Sequence, residues 1–365
     1  MNILILNWRD IKSPLAGGAE IATHEYAKGW VKAGHKVTQF SSSFTGGKPF
    51  EEIDGIKIIR KGNHYTVHLH AFFYYITALR GKINLVVDEF HFIPFFTPLY
   101  VHTQKIGFIH EIAKELWFEN KSFPISILGY FLEPFFFRFY NNVPFMTCSN
   151  STKEEVVKLG ISSKNITIIH NGINIIKSVK VKEKDPILVY LGRLTKDKGI
   201  EDAIYAFTEI QKSKINVKFW IIGKEEEEGY QKKLEKLVEN LGINDSVFFM
   251  GYVSERKKFD FLKRAWVLIH PSVKEGWGLT VIEAASQRTP TVAYDVSGLR
   301  DSIINGKTGL LVSSREPKAL ASKIMILIEN KVLYNELSKN ALIWSREFNW
   351  DDSISESIAL IERIT

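Results

Sequence analysis

Apolar residues along the chain gather in short runs of strand length, and these alternate with longer stretches of helical period. The opening reads strand, loop, helix, strand: an apolar Asn2–Asn7, a Pro/Gly loop at Ser13–Gly18, an amphipathic Ala19–Ala33, Gly34, then Lys36–Ser41. That order predicts the start of a βαβ unit. Further strands are predicted at Leu85–Val87, Lys105–Ile109, Pro144–Cys148 and Thr167–Ile169, with a helix at Ser151–Leu159 capped by Ser149 or Asn150. The polar, basic stretch Ile173–Pro186 ends in proline and reads as a linker.

A second alternation follows. Strands are predicted at Ile187–Leu191, Val217–Ile222, Ser246–Met250, Trp266–Ile269 and Thr291–Ala293, with helices Ile200–Gln211, Tyr230–Asn240, Glu255–Lys263 and Leu279–Gln287 between them. Helical patterns at Pro317–Glu329, Tyr334–Phe348 and Asp351–Ile364 close the chain. The pattern predicts an α/β protein with two doubly wound, Rossmann-like domains, residues 1–175 and 176–348, and a last helix within 349–365. Two such domains in series are expected to face a central cleft at the carboxyl ends of their strands.

Length and composition fit that picture, since 365 residues with 45% hydrophobic positions suffice for two cores. Lys and Arg number 48 against 41 Asp and Glu, a net charge of +7. Residues 1–175 hold 18 basic and 14 acidic side chains and the remainder 30 and 27, so neither half is a basic arm. An anionic small ligand or an acidic membrane surface suits this balance better than a nucleic-acid stripe. The single cysteine, Cys148, points to a reducing, cytoplasmic setting. Met1–Asn7 does not read as a signal peptide. The uncharged Gly62–Leu79 carries His64, His68 and His70 and does not read as a membrane span. Of 25 phenylalanines, 15 lie between His64 and Phe145. They form either an aromatic core or an exposed face that meets a lipid-linked acceptor or the membrane, and the pattern alone does not separate the two.

Three loops carry candidate chemistry. Gly17-Gly18 follows the first strand and opens a helix, where bare N–H groups can receive an anion. After Ile187–Leu191 comes Gly192-Arg193-Leu194-Thr195-Lys196-Asp197-Lys198-Gly199, and Arg193 and Lys198 beside a helix start could neutralise a diphosphate. The segment His270–Ala285 sets Glu275 in a glycine-rich turn and Glu283 in the next helix. Fully helical spacing would part those carboxylates by about 12 Å, too far for the ~5 Å pair of a retaining glycosidase, so two separate binding roles are expected. No Gly-x-Gly-x-x-Gly, Walker loop, hydrolase elbow or metal-ligand cluster is apparent.

Taken together, the chain resembles a GT-B glycosyltransferase of the retaining family 4 over nearly all its length. The matching pieces are Ala16-Gly17-Gly18-Ala19-Glu20, Cys148-Ser149-Asn150-Ser151, His170-Asn171-Gly172-Ile173, Leu191-Gly192-Arg193-Leu194 with Lys198-Gly199, the Glu275-x7-Glu283 element, and Thr308–Val312. The resemblance implies transfer of a hexose from a nucleotide sugar, UDP- before GDP-, to a glycan or lipid-linked glycan, with retention and without a metal or other cofactor. It makes Arg193 and Lys198 the diphosphate clamp, with Gly17, Gly18, Gly278 and the amides of Leu279 and Thr280 as the anion cradle. Glu283 is expected on the ribose hydroxyls, Glu275 on the transferred sugar, His110 beside donor sugar and acceptor, and the backbone at Tyr252 and Val253 on the base. The last helix is expected to cross back to the first domain. Asp-x-Asp, used by metal-dependent GT-A enzymes, is absent. A non-catalytic nucleotide-sugar binder on this scaffold and a GT-B epimerase or phosphorylase remain the alternatives.

Two positions depart from the family pattern. Arg288 stands where a glycine usually precedes Thr-Pro, so the helix is expected to end without a left-handed cap. Ser297-Gly298 replaces a glycine pair.

Overall fold

The computed structural model describes residues 1–365. The chain divides into two compact units, residues 1–172 with 350–365, and residues 173–349.

The first unit is built on eight strands: β1 (Asn2–Leu6), β2 (Lys36–Ser41), β3 (Phe50–Ile53), β4 (Ile56–Arg60), β5 (Leu85–Phe90), β6 (Gln104–Ile109), β7 (Phe145–Thr147) and β8 (Ile166–Ile168). They lie in the order β3-β4-β2-β1-β5-β6-β7-β8. Only β3 runs antiparallel to its neighbour, joined to β4 through Asp54-Gly55 with φ of 50° and 79°. Side-chain alternation sorts the sheet into two faces. Ile3, Ile5 and Val87 pack with the helix Gly18–Lys32, whereas Leu4, Leu6 and Val86 pack with the helix Val67–Tyr74. The strand order reverses between β1 and β5, which places a crevice at their carboxyl ends.

The last helix, Trp350–Ile364, belongs to this unit. Trp30 Nε1 donates to Ser357 Oγ at 2.9 Å, Ser353 Oγ donates to the His170 carbonyl at 2.7 Å, and Trp350 stands edge-on to Tyr26. Gly29 lies directly beneath it, so close that a Cβ there would sit 2.3 Å from Ile354 Cγ2.

The sequence reading placed no helix between His64 and Phe145. The structure has Val67–Tyr74, continued by a π-helical turn, then Leu116–Asn120 and Ile125–Phe136. Large aromatic residues on these helices, Phe73, Phe118, Phe131 and Phe135, face outward, so the apolar pattern does not mark the buried side that reveals a helix. The phenylalanines divide between core and surface. Phe90, Phe137 and Phe145 pack in one buried cluster, while Phe73, Phe118, Phe123, Phe131, Phe135 and Phe139 are exposed.

The second unit has six parallel strands, β9 (Ile187–Leu191), β10 (Lys218–Ile222), β11 (Val247–Gly251), β12 (Val267–His270), β13 (Thr291–Tyr294) and β14 (Gly309–Val312), in the order β11-β10-β9-β12-β13-β14. Leu188, Val189, Phe219, Leu268 and Val292 are all buried, as expected for a parallel sheet covered on both faces. Here the order reverses between β9 and β12.

Two expectations are corrected here. Ile173–Pro186 has no regular structure, yet it is no free linker: Ser178 Oγ donates to Asp260, Glu183 pairs with Arg264, and the Lys182 ammonium is buried against the Ala265 carbonyl and Thr289 Oγ1. Burial pushes that ammonium well below the usual lysine range. The helix Leu279–Ser286 does end on a left-handed residue, because Arg288 has φ of 59°. Its amide and that of Thr289 donate to the carbonyls of Ala285 and Ala284, and its own carbonyl accepts from Ser338 Oγ at 2.9 Å. These fixed partners offset the roughly 1 kcal/mol that a side chain costs in that conformation.

Candidate active site

In the second unit the candidate residues collect at the carboxyl ends of β9 and β12, the switch point of the sheet. The loop after β9 is held by Tyr190, whose hydroxyl donates to the Arg193 carbonyl at 2.7 Å, and by the Leu194 amide, which donates to Lys224 at 2.9 Å. Arg193 thereby meets Glu226, and the two form an ion pair. In the same acidic run, Glu225 accepts the Gln231 amide in the first turn of the helix Tyr230–Asn240.

The turn Lys196–Lys198 ends on Gly199, whose φ of 66° and whose approach to Pro271 both require glycine: a Cβ would sit 2.0 Å from the Pro271 carbonyl oxygen. Val273 donates to the Asp197 carbonyl at 2.8 Å and locks the loop after β12 onto this turn. Lys198 Nζ consequently stands 2.7 Å from Glu275 Oε1. Ser272 Oγ donates to the same carboxylate at 3.0 Å, and His270 lies 3.7 Å away. Burial would raise Glu275, but Lys198, His270 and the hydrogen bonds outweigh it and hold the carboxyl below the usual range. Burial and Lys198 lower His270, against the opposing pull of Glu275.

Gly278 begins the next helix with φ of 84°, and no side chain caps it. The first amides of a helix, here Leu279 and Thr280, have no intrahelical acceptor and lie at the positive end of the dipole, a position that suits an anion. One turn on, Glu283 Oε1 accepts from Lys258 Nζ at 2.6 Å, while its buried Oε2 has no hydrogen-bond partner. Burial raises Glu283 despite the pull of Lys258. Burial alone would lower Lys258, but Glu283 and Glu255 raise it instead. The two carboxylates thus keep separate lysines, Lys198 and Lys258. Val253, just past β11, packs partly on the core, and Tyr252 beside it is exposed.

In the first unit Gly17 precedes the helix Gly18–Lys32, but its amide donates to Glu20 Oε2 at 2.7 Å. The expectation that both glycine amides are bare is corrected: the carboxylate three residues on takes the first. His110 follows β6, with its carbonyl bound by Thr152 Oγ1 at 3.0 Å. Behind its ring sits Glu89, which is fully buried at the end of β5. Glu89 accepts from Asn7 and Thr23, and the Nε2 atoms of His91 and His110 lie 3.4 and 3.5 Å from its Oε2. Burial would raise Glu89, but His110 and His91 hold it below the usual range, so a negative charge stays behind both rings.

Sequence reasoning missed Glu89, His91, Lys258, Ser272 and Glu226. Glu89 and His91 were within reach: the predicted strand stopped at Val87, while β5 continues to Phe90, and a buried acid at the end of a switch-point strand is informative. Lys258 carried no signal, because its partner is 25 residues away on another element.

The profile of glycosyl transferases group 1 matches residues 173–344, and that of Glycosyltransferase Family 4 matches residues 16–177. The chain belongs to this family of GT-B glycosyltransferases, whose reaction is glycosyl transfer. It is 24% identical to an uncharacterised glycosyltransferase of Methanocaldococcus jannaschii, over 98% of this chain and 97% of that one. Its fold is similar to that of sucrose-phosphate synthase from Thermosynechococcus elongatus, with a TM-score of 0.82, 20% identity, and 99% and 98% of the two chains covered. It is also similar to HepE of Anabaena, solved with UDP and glucose, with a TM-score of 0.77, 16% identity, and 100% of both chains covered.

Proposed function

We propose that the protein is a retaining hexosyltransferase that takes a hexose from a UDP-sugar and adds it to a hydroxyl of a glycan or lipid-linked glycan, in the cytoplasm and without a metal. The observation that carries this reading is the pairing at the second unit's switch point. Two half-buried carboxylates, Glu275 and Glu283, each held by its own lysine, flank an uncapped helix start.

The donor diphosphate binds at the amides of Leu279 and Thr280 and draws Arg193 and Lys198 to it. As the bond from anomeric carbon to diphosphate oxygen breaks, these cations stabilise the charge left behind, an effect worth about 3 kcal/mol per well-placed donor. The acceptor oxygen bonds the anomeric carbon on the same face and its proton passes to the departing diphosphate. Glu275 orients sugar hydroxyls, and Glu283 Oε2 accepts from the ribose. The acceptor is held on the first unit, where His110 and His91 stand over Glu89. The uridine preference is carried over from the Anabaena protein, which was solved with UDP.

Thermal shift with UDP, GDP, ADP and NAD tests the donor site, since a ligand at a hundredfold excess over its Kd stabilises by about 2.7 kcal/mol. UDP should raise the melting temperature and NAD should not. Arg193→Ala with Lys198→Ala should abolish the shift without unfolding the protein, and an unchanged affinity would refute the clamp. Transfer should persist in a chelator and give the donor's own anomer by NMR. Loss of UDP without any acceptor would instead indicate an epimerase or hydrolase.

A further inference from the structure

The helix Ile125–Phe136 is inside out. Its buried residues are Ser126, Gly129 and Glu133, whereas Ile125, Ile127, Leu128, Phe131, Leu132 and Phe135 are between 41% and 63% exposed. Two devices lock that orientation. The Glu133 carboxylate accepts from the amides of Ala113 and Lys114, both at 2.7 Å, and from Trp117 Nε1 at 3.1 Å. Gly129 lies flat on Trp117, where a Cβ would sit 2.2 Å from the ring. The helix is thus bolted down by its single acid and its smallest residue, and the apolar side is held outward.

The neighbouring surface continues the pattern, since Phe123 is 79% exposed and Phe118, packed on Tyr130, is 51% exposed. Between Ser122 and Phe137 the only charged side chain is the buried Glu133. Cations bracket the stretch at its two ends: the Lys121 ammonium lies over the Phe92 ring and the Arg138 guanidinium over the Phe135 ring. Both charged heads rest at the margin of the apolar surface, one at each end, where they are placed to meet a phosphate layer around a buried apolar face. A protein interface of this size would carry about ten hydrogen bonds, and between Ser122 and Phe137 the exposed side chains offer only the hydroxyls of Ser122 and Tyr130. Twelve residues make a rod of about 18 Å, and no helix of the chain is long and apolar enough to cross a membrane.

We propose that the helix Ile125–Phe136 is a monotopic anchor that lies in the plane of a phospholipid bilayer, its apolar side chains in the hydrocarbon and Lys121 and Arg138 at the phosphates. Attachment is driven by apolar burial and not by charge, because the exposed Glu115 and Glu119 nearly cancel the cations beside the helix. The inference is independent of the transferase reading, being drawn from this surface alone.

The test is flotation of the purified protein with vesicles of neutral phosphatidylcholine, at low and at high salt, beside the variant Leu128→Glu/Phe131→Glu. Both positions are exposed, so the variant should melt as the wild type does and keep its thermal shift with UDP, which separates this test from that of the transferase. The wild type should float with neutral vesicles in high salt, and the variant should float about tenfold less or worse. Three results would overturn the proposal: no flotation of the wild type, flotation only with anionic vesicles and reversed by salt, or equal flotation of the variant. A wild-type dimer that the variant converts to monomer without any lipid would assign the helix to a second copy of the chain and overturn it as well.

Discussion

At the scale of single residues, the arrangement around Glu283 is the most specific. Lys258 occupies one carboxylate oxygen and leaves Oε2 buried without a donor. Glu283→Gln should therefore weaken UDP binding roughly tenfold to a hundredfold, the worth of a hydrogen bond to a charged acceptor. The wild type should discriminate against the 2′,3′-dideoxy analogue and the variant should not, as isothermal titration would show. Glu226 has the opposite role, because it holds the guanidinium proposed for the diphosphate. Glu226→Gln should tighten UDP binding a few-fold, and weaker binding would remove Arg193 from the clamp.

Acidification separates these groups by sign. Glu275 and Glu89 are held below the ordinary glutamate value of 4.5, so their stabilising contribution is complete above that value and is lost as pH falls through their native-state values. Glu283 is displaced upward by burial, so it protonates first on acidification, and its ionised form costs stability that protonation relieves. UDP affinity should thus decline at a higher pH than the fold does. Binding and far-UV dichroism measured in the same buffers would show two separate transitions, and coincident ones would refute the assignment.

At the scale of elements, Gly199 joins the loops after β9 and β12. Gly199→Ala forces a Cβ onto the Pro271 carbonyl in a left-handed conformation. It should cost about 1–3 kcal/mol and weaken UDP binding with it, because Lys198 and Glu275 would separate. A variant that loses neither would show the loop to be pliable. The same scale explains what was legible in the sequence. Ile200–Gln211 and Tyr230–Asn240 were readable to the residue because each buries one stripe against a parallel sheet. The Asp54-Gly55 hairpin is legible from its two-residue turn, an Asp-Gly pair with both residues at positive φ. The helix Ile125–Phe136 was hidden because its pattern is reversed, with Glu133 inward and Phe131 outward. Ion pairs such as Arg193 with Glu226 were hidden for another reason: the chain fixes them only through strands brought together by the sheet.

At the scale of the whole molecule, each unit has its own core. Calorimetry should resolve two transitions, and UDP should raise only that of residues 173–349. Gly29→Val, which drives a side chain into Ile354, should lower only the other, and a single transition moved by both would show the units to be thermodynamically one. The first unit is also discontinuous in the chain, since its final helix, Trp350–Ile364, follows the whole of the second unit. During synthesis residues 173–349 leave the ribosome before Trp350 does. The domain begun second is therefore the first that can be finished, while Tyr26 and Trp30 wait for partners made some 320 residues later. Protein synthesis that stalls before the last turns would leave a finished second domain beside an open hydrophobic face, the state in which chaperone capture is most needed.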